Sequence, residues 1–300
     1  METSILKARE AANAHLKKYK AWLARQPLSY HSKRAYRGRV EQFIVFLSDG
    51  HGDYSKALDT PQERDLAVRD YKSYLKRQLK MQPTSVNSAL TAIDHFCEYL
   101  GLGRTKAKRE DLPQVAPRAL EPAEQRRFLA AAERCRRKKD QAVALLLFYS
   151  GIRIGECAEL NVEDVPVNQK RGKVIVRSGK GDRYREVPLN QKVREALSSW
   201  LAERRQKFGE SARSPLFVNP QGGRMSIASL DRIVRKIGRA VGLELSAHIL
   251  RHSCLTNLVR QGNDLVLVAE IGGHKRLETT KRYTLPSAGD KERAMEGLVK

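Results

Sequence analysis

The chain has 300 residues and carries 57 lysines and arginines against 34 aspartates and glutamates, for a formal net charge of +23 and a pI near 10.1. That length excludes a miniature fold held by disulfide staples and suits two ordinary domains, while the charge points to a polyanion, nucleic acid first, as the partner. No apolar run approaches the roughly 20 residues of a spanning helix, and Met1-Glu-Thr-Ser opens no signal-peptide h-region, so the expected location is the cytoplasm, with no membrane partner.

Four amphipathic patterns fill the first hundred residues. Ile5, Leu6, Ala12, Leu16, Tyr19 and Leu23 form one apolar stripe, and Tyr36, Val40, Phe43, Ile44 and Leu47 form a second at helical spacing. Thr60-Pro61 reads as an N-cap followed by proline at the first helical position, opening a stripe of Leu66, Tyr71, Leu75 and Leu79. Thr84 or Ser85 opens the fourth, with Val86, Leu90, Ile93, Phe96, Cys97 and Leu100, stopped by Gly101. The pattern predicts a helical bundle over residues 1–103. Over residues 104–119 the periodicity fails among Pro113, Pro117 and clustered positive charge, as in a linker. That charge has two readings, simple solvation or passage across a DNA backbone.

Residues 120–300 read as a second domain. Leu120-Glu-Pro-Ala-Glu opens a helix carrying Phe128, Leu129 and Ala132, and the apolar run from Ala142 to Phe148 predicts a buried helix leading to Gly151. The period then changes to two. Lys173-Val-Ile-Val-Arg-Ser and Arg183-Tyr-Arg-Glu-Val-Pro-Leu189 alternate around Gly179-Lys180-Gly181-Asp182, the pattern of a hairpin. Helical patterns resume over residues 191–205, 227–241, 248–260 and 264–271. The expected fold is mainly α: a helical bundle followed by an α+β domain with a small antiparallel sheet. Cys97, Cys135, Cys157 and Cys254 are scattered singly in apolar patterns and read as reduced core residues.

The chemistry-bearing residues gather in the second half. Tyr283 is flanked by Arg282 and Thr284, not by an apolar stripe. A phenol, with a pKa near ~10, attacks poorly at neutral pH unless a base takes its proton and cations stabilise the charge developing on phosphorus. Arg153 and Arg251 offer permanently charged forks suited to the two non-bridging oxygens of a phosphodiester. Lys180, between two glycines at the expected hairpin tip, suits protonation of a departing 5′ oxygen. Glu156, one helical turn after Arg153, supports that site. His248 and His252 share a helix face, but no glutamate follows His248 and no carboxylate lies close by to complete a ligand set. Neither a metal nor a nucleotide cofactor is expected.

Four motifs in order carry a resemblance: Ser150-Gly-Ile-Arg153-Ile-Gly-Glu156, His248-Ile-Leu-Arg251-His252, Gly272-Gly-His274 and Thr279-Thr-Lys-Arg-Tyr283-Thr. They resemble those of the tyrosine recombinase (phage integrase) family in its two-domain, Xer-like form, over nearly the whole chain. The resemblance implies a SAM-like core-binding domain at residues 1–103 and, at residues 120–300, a catalytic domain of the DNA breaking-rejoining fold. It implies a site-specific DNA recombinase. Tyr283 would attack the scissile phosphate to leave a 3′-phosphotyrosyl link and a free 5′ hydroxyl, and a hydroxyl from a partner strand would reverse the step. In that scheme Arg153 and Arg251 clamp the phosphate and Lys180 is the general acid. His248 takes or holds the tyrosine proton, His274 donates to a phosphate oxygen, and His252 is a buried helix residue bonded to backbone. The implied partners are duplex DNA with short inverted core sites and further copies of the chain, a homotetramer on two paired sites, the tail after Tyr283 docking in a neighbouring protomer. Gly272 departs from the leucine usual before Gly-His, which should loosen the helix end carrying His274. Two alternative readings are a type IB topoisomerase, which rejoins the same strand, and a DNA-binding regulator that does not cut. The intact set of Arg153, Lys180, His248, Arg251, His274 and Tyr283 argues against the regulator.

Overall fold

The computed structural model describes residues 2–49, 52–112, 114–177, 184–209, 211, 213–286 and 288–299. The chain divides into two compact units, Met1–Pro113 and Gln114–Lys300.

The first unit contains α1 (Glu2–Arg25), α2 (Tyr30–Ser48), α3 (Pro61–Arg77) and α4 (Pro83–Tyr99). Local chemistry sets the starts. The Ser29 hydroxyl accepts from the Ser32 amide at 3.1 Å, and the Thr60 hydroxyl accepts from the Glu63 amide with Pro61 in the first turn. α4 begins on Pro83, ahead of the expected Thr84 or Ser85, because a ring that lacks an N–H fits the first helical position. Tyr19, Leu23, Val40, Ile44, Ala92 and Phe96 close α1 onto α2 and α4. Phe43, Val68, Tyr71, Leu75, Leu90 and Ile93 close α3 onto the same pair. Leu66 and Leu79, expected on the buried stripe of α3, are 40% and 42% exposed, and Ala67 and Val68 take that face instead.

Residues 104–110 form no helix or strand, yet they are pinned to the first unit. Arg104 pairs with Glu98 at 2.8 Å, Thr105 donates twice to Asp94, and the Glu110 amide donates to Asn87 Oδ1 at 2.8 Å. The Glu110 carboxylate takes Lys72 and Lys76, each at 2.8 Å. Much of the polar chemistry in the first half of the expected linker is therefore internal to this unit.

The second unit contains α5 (Pro122–Glu133), α6 (Lys138–Ser150), α7 (Ile154–Glu159), β1 (Lys173–Val176), β2 (Arg185–Pro188), α8 (Gln191–Phe208), α9 (Ile227–Arg239), α10 (Ala247–Arg260), α11 (Leu265–Gly272), α12 (Leu277–Lys281) and α13 (Ala288–Glu296). Every residue of α6 from Ala142 to Phe148 is buried, because this helix packs against α5, α8, α9 and α10 and keeps no polar face there. Each of Leu145, Leu146 and Leu147 adds about 1.5–3 kcal/mol by its burial. β1 and β2 are antiparallel, with Val174 opposite Val187 and Val176 opposite Arg185. Strand alternation puts Arg185 and Val187 on the same buried face. α7 and α12 are too short to leave a periodic trace in sequence, and both sit at the site described next. The fold is thus mainly α with a small two-stranded sheet.

Candidate active site

Three chain segments converge at one place. The first is the turn from α6 into α7. Gly151 ends α6 at φ +63°, where a Cβ would come within 3.2 Å of Cys254 Sγ, so the turn favours glycine on both counts. Arg153 then caps α7 from outside. Its amide donates to Glu156 Oε2 at 2.7 Å, its Nη1 to Glu156 Oε1 at 2.8 Å and its Nη2 to the Gly273 carbonyl at 2.9 Å. Its side chain stays 38% exposed.

The second segment is α10. Arg251 is buried, and it donates to the carbonyls of Gly151 and Gly272 at 2.6 Å each and to His274 Nε2 at 2.9 Å. Burial, with Arg153 next in weight, pushes its pKa down to about 10, so it stays charged at neutral pH. The third segment runs from the end of α11 through α12. Gly273 ends α11 at φ +63°, and His274 follows.

A guanidinium has only donors, so His274 Nε2 must accept from Arg251 and the ring proton lies on Nδ1, donating to the buried Thr280 hydroxyl at 2.8 Å. The ring is neutral in this arrangement. Burial and then Arg251 push its pKa down to about 4. The expected loosening at Gly272 is not seen, since both ring nitrogens of His274 are held. The Cβ that Gly272 lacks would crowd the His274 ring at 3.2 Å and Leu255 at 3.3 Å.

Tyr283 lies between these groups, only 4% exposed. Its ring is parallel to that of His274, with centroids 5.9 Å apart, and packs among Leu255 and Val268. Its hydroxyl is 2.9 Å from His252 Nδ1. Burial raises the phenol pKa, against the lowering effect of Arg251 and Arg282. His252 is itself buried, and desolvation followed by its neighbour His248 pushes its pKa down to about 3. A neutral imidazole therefore faces the phenol. Instead of the backbone contact expected for a buried helix histidine, the His252 side chain bonds the tyrosine. His248 lies one turn earlier, edge-on to His252 with ring centroids 4.1 Å apart; the residue is exposed overall, but partial desolvation of its ring, followed by the charge of Arg251, lowers its pKa.

Glu156 belongs to this cluster, and a further residue joins it. Arg185, 5% exposed on β2, forms a two-pronged ion pair with the Glu156 carboxylate at 3.0 and 2.6 Å. Burial acts to raise the Glu156 pKa, and the hydrogen bonds from Arg185 and Arg153 outweigh it, so the carboxylate is held below its ordinary value. The sequence signal for Arg185 was its parity with Val187, which marks a charge on the buried face of a strand. Lys180 lies outside the described residues. Among the described residues, no three His, Cys, Asp or Glu side chains converge as a metal site, and no helix is long and apolar enough to cross a membrane.

A buried phenol bonded to a neutral imidazole, beside arginine forks and a second histidine, is equipment for transferring a phosphodiester to tyrosine. The model of the phage integrase family matches residues 118–289, and the chain belongs to that family. The TnP I resolvase of Bacillus thuringiensis is 26% identical over 292 residues, covering 94% of this chain and 99% of that protein. Tyrosine recombinase XerC of Thermodesulfovibrio yellowstonii is 30% identical over 273 residues, 85% of this chain and 86% of that one. In fold, the chain is similar to the XerH site-specific recombinase in its pre-cleavage complex with difH substrate, with a TM-score of 0.72 at 22% identity over 88% of this chain and 78% of that one.

Proposed function

We infer that this protein is a site-specific DNA recombinase that cuts and rejoins duplex strands through a 3′-phosphotyrosyl intermediate, without metal or nucleotide cofactor. One observation carries the reading: the Tyr283 hydroxyl is hydrogen-bonded to a neutral histidine inside a site where Arg153 and Arg251 project their guanidinium groups. In the proposed reaction Tyr283 attacks the scissile phosphate in line, and its proton passes to the His252–His248 pair. Arg153 and Arg251 exchange backbone carbonyls for the non-bridging oxygens, whose charge grows toward the transition state. Lys180 protonates the departing 5′ oxygen. His274 turns to donate from Nε2 to the phosphate, and Glu156 holds Arg153 in place.

The partners proposed are duplex DNA carrying short inverted core sites and a homotetramer on two paired sites. In that assembly residues 1–103 form the core-binding domain, residues 104–119 the connection and residues 120–300 the catalytic domain, with the tail docking in a neighbouring protomer. The exposed first half of α2, with Arg34 and Arg37, suits sequence-independent contacts to phosphates.

The test is a suicide substrate with a nick beside the scissile phosphate, run on a denaturing gel. Wild type should give a slow-migrating protein–DNA adduct that Tyr283→Phe does not form while binding the same duplex. An adduct persisting in Tyr283→Phe places the nucleophile elsewhere. Exchange of strands between two sites, as against relaxation of any supercoiled plasmid, separates recombination from topoisomerase-like rejoining. EDTA should leave the adduct yield unchanged.

A further inference from the structure

Arg185 is a buried cation that the reaction scheme above does not use. It lies on β2 opposite Val176, and all of its described partners belong to the catalytic cluster. Its Nη1 and Nη2 donate to the two oxygens of Glu156, and its Nε donates to the Ile271 carbonyl at 3.0 Å. The flat guanidinium also lies against Gly273, where a Cβ would come within 2.7 Å of Nη1 and 2.8 Å of Cζ. The same Gly273 carbonyl accepts from Arg153, and the same Glu156 oxygens accept from the Arg153 amide and Nη1. The contacts close a ring: Arg185 to Glu156, Glu156 to Arg153, Arg153 to Gly273, and Gly273 under Arg185.

A buried ion pair is weak evidence for stability, because well-packed apolar residues of the same volume often serve as well or better. The charge balance supplies a reason for this one. Glu156 alone beside Arg153 makes a neutral pair, whose carboxylate competes with a phosphate for the guanidinium. Arg185 shares both oxygens of that carboxylate with Arg153, so the trio carries a net positive charge that favours an anion beside the Arg153 fork. Resting on the recombinase reading, we propose that Arg185 is a positioning residue that neutralises Glu156 and fixes the Arg153 fork and the Gly273–His274 turn in the geometry that receives the scissile phosphate.

The experiment is single-turnover cleavage at saturating full-length protein by wild type, Arg185→Met, Arg185→Lys and the double variant Arg185→Met/Glu156→Gln, with thermal unfolding of each measured alongside. Two suicide substrates are compared, one with the normal scissile phosphodiester and one with an uncharged methylphosphonate there. On the phosphodiester, Arg185→Met should be slower by about 10–100-fold, the scale of losing a partner that orients a catalytic group. Arg185→Lys should fall between it and wild type, because it keeps the charge without the fork. Glu156→Gln in the Arg185→Met background should recover rate, since no carboxylate is left to neutralise Arg153. The Arg185→Met deficit should shrink on the methylphosphonate, which needs less cationic stabilisation. A deficit of equal size on both substrates, or an Arg185→Met rate matching wild type, overturns the proposal. Should Arg185→Met fail to fold, Arg185→Lys on the two substrates decides by the same criterion. A wild type that forms no adduct on either substrate fails the recombinase reading instead, so the two failures are distinguishable.

Discussion

His252 Nδ1 and Tyr283 Oη stand 2.9 Å apart although the two residues lie 31 positions apart in the chain. The imidazole is held neutral by burial, with a pKa pushed down to about 3, and burial raises the pKa of the phenol. In this arrangement the tyrosine keeps its proton until a phosphate arrives to share its charge with the arginines. His252→Phe removes the acceptor and keeps a ring in the space. Adduct formation should slow by about 10²–10⁴-fold, as for loss of a positioned base, with binding to duplex DNA little changed. Quench-flow cleavage beside a gel-shift titration measures both. A His252→Phe rate equal to wild type would return the base role to His248 alone.

Arg153→Ala and Arg251→Ala should each cost roughly 3 kcal/mol or more of transition-state stabilisation, but they should differ in stability. Arg153 keeps a partly exposed side chain, whereas Arg251 is buried on the Gly151 and Gly272 carbonyls. Removing Arg251 strands those acceptors, at a cost on the order of 1–3 kcal/mol each. Denaturant unfolding should therefore separate the two variants that cleavage assays leave alike. Equal stability of the two would show that the carbonyls find other donors.

The motif residues were legible because the chain writes them as short local strings: Arg153 beside Glu156, Arg251 between histidines, His274 after glycines, Tyr283 at a fixed interval. The helical bundle and the hairpin strands were legible for a related reason, since a period of 3.6 or 2 survives in any window long enough to hold it. What stayed hidden depends on contacts between distant segments. The partner of His252 comes from beyond α11, and Arg185 meets Glu156 across 29 positions. α7 is held by the Glu156 carboxylate reaching back to the Arg153 amide, a cap that six residues cannot announce by periodicity.

Acid should destabilise the second unit before its carboxylates titrate. His252 and His274 have folded pKa values near 3 and 4, below the unfolded value of ~6.5. Between those limits the unfolded chain binds more protons than the folded one, so stability rises with pH. The contribution of neutral histidine is complete above ~6.5 and is lost as pH falls toward 4, with a slope of up to about 1.4 kcal/mol per pH unit for each group. Glu156, whose folded pKa is depressed, adds a loss of the same sign only below its own unfolded value. Urea unfolding at a series of pH values should show this slope in wild type and a smaller one in His252→Gln. A flat profile from pH 6.5 to 4.5 would mean that these rings protonate in place.

Thr280 can serve His274 whichever ring nitrogen carries the proton. In the described state Nδ1–H donates to the Thr280 hydroxyl while Nε2 accepts from Arg251. Donation from Nε2 to a phosphate requires the proton on Nε2, after which Nδ1 needs a donor of its own. A hydroxyl can turn from acceptor to donor, so threonine serves both states. Thr280→Val keeps the buried shape and removes that capacity, whereas Thr280→Ser retains it. The valine variant should cleave about 10–100-fold more slowly, the usual scale for losing a group that orients a catalytic histidine, and the serine variant should stay within about 3-fold of wild type, a difference below ~1 kcal/mol. Single-turnover rates supply the comparison, with melting temperatures to separate loss of fold from loss of chemistry. If valine and serine cleave alike while both remain folded, His274 acts without changing its tautomer and Thr280 is only a packing residue of α12.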